Sequence, residues 1–132
     1  MKCSEIITLL EQEYGKEYAC DWDNVGLLAG RRDKEVKKIL LALDATDEVV
    51  EQAAEGAYDM LITHHPMIFS GIKKINNHSF TGRKILTLIQ KGIVYYAMHT
   101  NYDVLGMADL SADYTKMHNT TVLSVTEERN GE

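Results

Sequence analysis

Ile39-Leu40-Leu41-Ala42-Leu43, Asp44-Ala45-Thr46, and then Met60-Leu61-Ile62-Thr63 running into His64-His65-Pro66 form the stretch on which the fold turns. The two apolar runs are short and almost continuous, the pattern of strands buried on both faces. Between them Thr46 can cap a helix, with Asp47 and Glu48 in its first turn near the positive end of the dipole. Val49, Val50, Ala53 and Ala54 make the buried stripe of that helix, and Gly56 ends it. A strand, a helix and a strand of these lengths make one parallel crossover.

Working outward, the unit repeats. Residues 66–80 read as a long loop holding Pro66, Gly71, Asn76 and Asn77, and long loops inside compact domains are often functional. Thr81 can cap the next helix, which carries Ile85, Leu88 and Ile89 and stops at Gly92. Residues 93–98 form a third buried strand. Upstream, Cys3, Ile6, Ile7, Leu10 and Tyr14 recur at helical spacing over residues 3–14, and Gly15 follows as a stop. A polar loop at 18–24 feeds a short strand at 25–29. A helix near 107–117 and a strand at 121–125 complete the reading. The expected class is α/β, a largely parallel sheet flanked by helices, as one domain over residues 1–132.

Composition narrows the functions. Fourteen Lys and Arg against twenty Asp and Glu give a net charge of −6, the wrong sign for an electrostatic nucleic-acid binder. No apolar run approaches the ~18 residues that would span a bilayer. Glu5 stands where a signal peptide needs an apolar stretch, so a cytoplasmic protein away from membranes is expected. Cys3 and Cys20 are too few for a disulfide framework and lack metal-ligand spacing.

In open α/β sheets ligands bind beyond the carboxyl ends of the strands. Asp44 follows the first of the three runs closely, His64 and His65 follow the second, and His99, Thr100, Asn101, Tyr102 and Asp103 follow the third. Three strands thus release metal-binding or acid–base side chains at one edge. Neutral imidazole and carboxylate are the usual ligands of Zn, Mn, Fe, Co or Ni. Neighbouring residues on a regular strand point to opposite faces, so His64 and His65 can share a site only where the strand has ended. Pro66 favours that ending. A carboxylate such as Asp103 could bridge two ions. Plainer roles exist for each: a hydrogen-bonded or surface histidine pair, an Asp103 bonded to local backbone, and an Asp44 that only assists the next helix. His78 and His118 lie off this edge, as surface side chains. There is no phosphate-loop spacing and no nucleophile elbow.

Four of these stretches also carry a family resemblance. Residues 22–30 (WDNVGLLAG), 41–46 (LALDAT), 62–69 (ITHHPMIF) and 99–104 (HTNYDV) resemble, in order, the NGG-one-interacting-factor-three-like family. The resemblance extends over residues 1 to about 125. It implies a dinuclear centre of two divalent ions held in part by His64, His65 and Asp103, with His99 orienting a ligand nearby and Asp23 and Asn24 close by. It also implies a homo-oligomer, commonly a ring-like homohexamer, and a hydrolase labelled GTP cyclohydrolase 1 type 2, in which water is activated by the metal. The substrate would then be a nucleotide or related phosphoester, with Lys73, Lys74 and Arg83 the available phosphate cations. Family members normally continue into a second half supplying a His and a Glu four residues apart. After Asp103 no such pair occurs, since His118 is followed four residues later by Val122. The chain thus resembles the N-terminal half. Two other readings fit the same residues: a metal-binding oligomeric scaffold or regulatory protein without turnover, and a plain α/β domain.

Overall fold

A computed structural model describes residues 1–122. The elements are α1 (Cys3–Glu13), β1 (Gly26–Ala29), β2 (Ile39–Ala42), α2 (Asp47–Glu55), β3 (Met60–Thr63), α3 (Phe80–Gln90) and β4 (Val94–Ala97). After β4 the chain winds through a short α4 (Thr100–Tyr102), a π-helical turn (Asp103–Met107) and α5 (Ala108–Thr115). Among the described residues the sheet has the order β1-β4-β3-β2. β2, β3 and β4 are parallel, and β1 runs antiparallel along β4. The expected class therefore holds, with one antiparallel edge strand.

Alternation along the central strands divides the core in two. Met60 and Ile62 of β3 and Val94 and Tyr96 of β4 face α1, meeting Cys3 and Ile7. Leu61 and Tyr95 face the other side, where Val50 and Ala53 of α2 and Leu88 of α3 cover them. The sheet is thus a middle layer with α1 on one face and α2 and α3 on the other. β1 is drawn against β4 closely enough to require glycine: a side chain on Gly30, whose φ is +105°, would stand 2.9 Å from Val94 Cα. Among the described residues, no helix is long and apolar enough to cross a membrane.

Two expectations need correction. β2 is not buried on both faces. It is an edge strand, and Leu41 is left 71% exposed with Ile39 and Leu43 exposed beside it. The cap of α3 is Ser79 rather than Thr81: Ser79 Oγ accepts from Gly82 N at 3.0 Å, while Thr81 already lies inside the first turn. The helix expected near 107–117 is α5 (Ala108–Thr115), and the short α4 and the π-helical turn precede it directly after β4. Of the strand expected at 121–125, residues 121 and 122 are not in a strand, and 123–125 lie outside the described residues.

Candidate metal centre

Sheet register brings the site together. Ala42 pairs with Thr63 and Thr63 with Ala97, so the three parallel strands end side by side. The ladder runs slightly further in the backbone, His65 N donating to Leu43 O at 3.0 Å and Met98 N to Thr63 O at 3.0 Å. Pro66 follows and the chain leaves the sheet.

A buried tyrosine holds the departing chain. Met67 N donates to the Tyr95 hydroxyl at 2.7 Å. That hydroxyl lies 2.8 Å from Thr63 Oγ1, which itself donates to the His65 carbonyl at 2.8 Å. Burial pushes the Tyr95 phenol up, against the lowering effect of its bonds with Thr63 and Met67, so it stays a neutral hydroxyl. Tyr95 reads in the sequence as one more strand residue, and only its hydroxyl among apolar neighbours hints at this role.

Held in this way, His64, His65 and His99 converge. One potential ligand atom from each lies within 4.8 Å of the others. The ring centroids are 4.9 Å apart for His64 and His65, and 5.2 Å apart for His64 and His99. Each ring is oriented through Nδ1 by an oxygen: His64 by Met98 O at 3.0 Å, His65 by Asp44 Oδ1 at 2.8 Å, and His99 by Asp23 Oδ1 at 3.1 Å. A carbonyl or carboxylate oxygen can only accept, so in the neutral rings Nδ1 carries the proton and Nε2 offers its lone pair. This pattern of an oxygen behind each imidazole is the one that orients metal-ligating histidines. Asp103 Oδ1 lies 3.3 Å from His64 Nε2, close to the spacing of about 3.4 Å between two donors around one tetrahedral zinc. The donor set therefore fits a divalent ion.

The support behind His99 is an anchored acid. The Asp23 side chain is fully buried. Burial pushes its carboxyl up, but bonds from Thr100 Oγ1, His99, and the amides of Thr100 and Asn24 outweigh burial and hold it below the usual carboxylate range. The segment after β4 thus has a distinct task for each residue. Thr100 grips Asp23, Asn101 donates to Tyr14 O at 2.9 Å, Tyr102 packs edge-on to Tyr14, and Asp103 faces His64.

Of the residues expected at this edge, the structure brings His64 and His65 together with His99 and sets Asp103 against His64. Asp44 serves His65 rather than the helix start, where Thr46 Oγ1 accepts from Val49 N at 3.2 Å. Lys73 and Lys74 are exposed on the long loop, and Arg83 is paired with Asp47 at 2.9 Å. His78 and His118 are exposed and outside the cluster.

The fold and this cluster define an α/β domain with imidazoles gathered at the carboxyl edge of its sheet. The family model described as Duf34/NIF3 (NGG1p interacting factor 3) matches residues 1–131, and the chain belongs to that family. A Clostridium perfringens relative named GTP cyclohydrolase 1 type 2 homolog is 42% identical over 103 residues, 78% of this chain and 39% of the relative. The crystal structure of a Bacillus cereus protein related to NIF3 superposes with a TM-score of 0.89 at 40% identity, over 96% of this chain and 35% of that one. A Staphylococcus aureus crystal structure gives a TM-score of 0.87 at 41% identity, over 93% of this chain and 36% of the other. The chain spans about a third of the length of the curated relatives it matches.

Proposed function

We propose that this chain carries the imidazole half of a divalent-metal centre belonging to a hydrolase, in keeping with the GTP cyclohydrolase 1 type 2 homolog name of its relatives. The observation that carries this reading is the set of three imidazoles, each tethered at Nδ1, with candidate ligand atoms within 4.8 Å of one another and Asp103 against His64. His64, His65 and Asp103 would hold two divalent ions, with His99 in the same pocket. Bound there, the ions would supply Lewis-acid polarisation and a more acidic water. The chain's own residues do the positioning. Asp44, Asp23 and the Met98 carbonyl keep the Nδ1 protons in place, and the Tyr95 hydroxyl sets where His65 leaves the sheet. The substrate in this reading is a nucleotide or related phosphoester, and the family's homo-oligomeric assembly belongs to the same proposal. The exposed apolar row on β2 favours association, since contiguous apolar surface tends to mark contacts.

Elemental analysis after reconstitution with Zn, Mn, Fe, Co or Ni tests the centre. Up to two ions per chain are expected, lost in His65→Ala and released on acidification, because protons compete for imidazole nitrogen. Protein that stays metal-free under all five ions would end the reading. Metal-loaded protein incubated with GTP tests the hydrolase part. Full metal loading without metal-dependent product from GTP or other phosphoesters would instead favour the non-catalytic scaffold.

A further inference from the structure

Two large aromatic rings stand in solvent beside the imidazoles. Trp22 is 60% exposed and Phe69 51% exposed. Their centroids are 5.9 Å apart with planes inclined at 42°, and Trp22 meets the ring of His99 edge-on at 6.1 Å. Both are placed by hydrogen bonds in the adjoining backbone. Trp22 sits in the turn closed by Asp23 N donating to Cys20 O at 2.9 Å, next to the buried Asp23 carboxylate. Asn24 Nδ2 donates to Ile68 O at 2.6 Å, which ties the long loop down immediately before Phe69. Phe69 also walls a cleft of about 570 Å³, together with Ile68, Ile72 and Leu28, and Asp23 and Asn24 belong to its lining. Residue 23 joins the cleft to the imidazole cluster, since it belongs to the cleft's lining while its buried carboxylate orients His99.

We propose that Trp22 and Phe69 form an aromatic wall that receives a planar unsaturated ring of the substrate next to the imidazole cluster. This deepens the metal-hydrolase reading and rests on it for the chemistry, though not for the binding surface. A flat ring fits because two tilted aromatic rings offer a third ring one face and one edge, the arrangements that ring quadrupoles favour. A volume near 570 Å³ falls within the range of small-molecule clefts, and a mainly apolar lining with a few polar groups is their usual make-up. An acyclic sugar or phosphate would leave both rings in water. The ring-bearing end of a substrate gains by covering them and delivers the remainder towards His64, His65 and His99.

Trp22 is the sole tryptophan of the chain, so its emission reports on the wall directly. The probes are guanosine 5′-monophosphate and nicotinamide mononucleotide, which carry a ring, and ribose 5-phosphate, which does not. The wall predicts saturable change in Trp22 emission with at least one ring-bearing probe and none with ribose 5-phosphate. Phe69→Leu, which keeps apolar bulk and removes the π face, should weaken the apparent Kd about tenfold. Metal content and thermal unfolding of Phe69→Leu should match the parent, since the side chain is exposed. Equal response to ribose 5-phosphate, no saturable response to either ring-bearing probe, or unchanged affinity in Phe69→Leu would each overturn the proposal. Trp22 emission that changes with protein concentration, without response to any probe, would assign the two rings to contact between copies instead. Metal content separates the two readings. Probe binding that survives in metal-free His65→Ala keeps the wall while leaving the centre to its own test. Full metal loading with no probe response removes the wall alone.

Discussion

Tyr95→Phe is the sharpest test of how the strand end is built. The substitution removes one oxygen from a buried position and keeps the ring. That oxygen accepts from Met67 N at 2.7 Å, lies 2.8 Å from Thr63 Oγ1, and reaches the His65 carbonyl at 3.3 Å. Thr63 and the His65 carbonyl keep each other, but the Met67 amide loses its acceptor in a partly buried place. Stranding a buried donor costs about 1–3 kcal/mol, and the contact with Thr63 is lost as well, so a loss of about 2–3 kcal/mol is expected. For a domain of this size that lowers Tm by about 8–12 °C. Urea and thermal denaturation of metal-free protein measure it. Tyr96→Phe is the matched control: a neighbouring tyrosine on the opposite face, whose hydroxyl meets Glu11 Oε1 at a long 3.4 Å, should lose less than about 1 kcal/mol. Equal losses in the two variants, or a Tyr95→Phe loss below about 0.5 kcal/mol, would refute the strut. With metal present, Tyr95→Phe should also bind it about tenfold more weakly, because the segment leaving His65 loses its hold at Met67.

Asp23→Asn presents an amide where Thr100 N and Oγ1 both donate, and should cost about 2–4 kcal/mol in urea denaturation; a variant as stable as the parent would show that the buried carboxylate is not an anchor. Thr46→Ala removes the bond from Val49 N and should lose about 1 kcal/mol, and an unchanged urea midpoint would deny Thr46 its capping role. Asp59 accepts from the Lys37 and Lys38 amides and pairs with Lys34 at 3.1 Å. The Lys37 amide is the largest of the effects that hold its carboxyl below the usual range. A carboxyl lowered on folding adds stability above its unfolded value near about 3.9, and that stability fades as pH falls from about 4 towards the lower folded value. Asp59→Asn should therefore destabilise at pH 7, and its gap to the parent should shrink as pH falls below about 4; a gap that is constant with pH would remove Asp59 as the source.

How much was legible depends on whether a signal is local. The strand–helix–strand unit reads directly from residues 39–63, because period, caps and glycine stops act over one or two turns. The crowding of His64, His65, His99 and Asp103 at one edge also follows, because parallel strands of equal length end together. By contrast, Ile39-Leu40-Leu41-Ala42-Leu43 is apolar at every position, and nothing in it tells an edge strand from a central one. That depends on which strands pair, and it leaves Leu41 in solvent. Thr81 and Ser79 are both good caps, and helix geometry chose the one whose hydroxyl meets the Gly82 amide.

The sequence by itself determined the element order, the parallel crossovers and the imidazole and carboxylate types that gather at the carboxyl edge, since these follow from local periodicity and chain direction. Only the tertiary structure decided that Tyr95 braces the loop after β3, that Asp23 sits buried behind His99, and that Trp22 meets Phe69. Each of these joins residues dozens of positions apart through contacts of a few ångströms, and such distances exist only once the sheet has set its register.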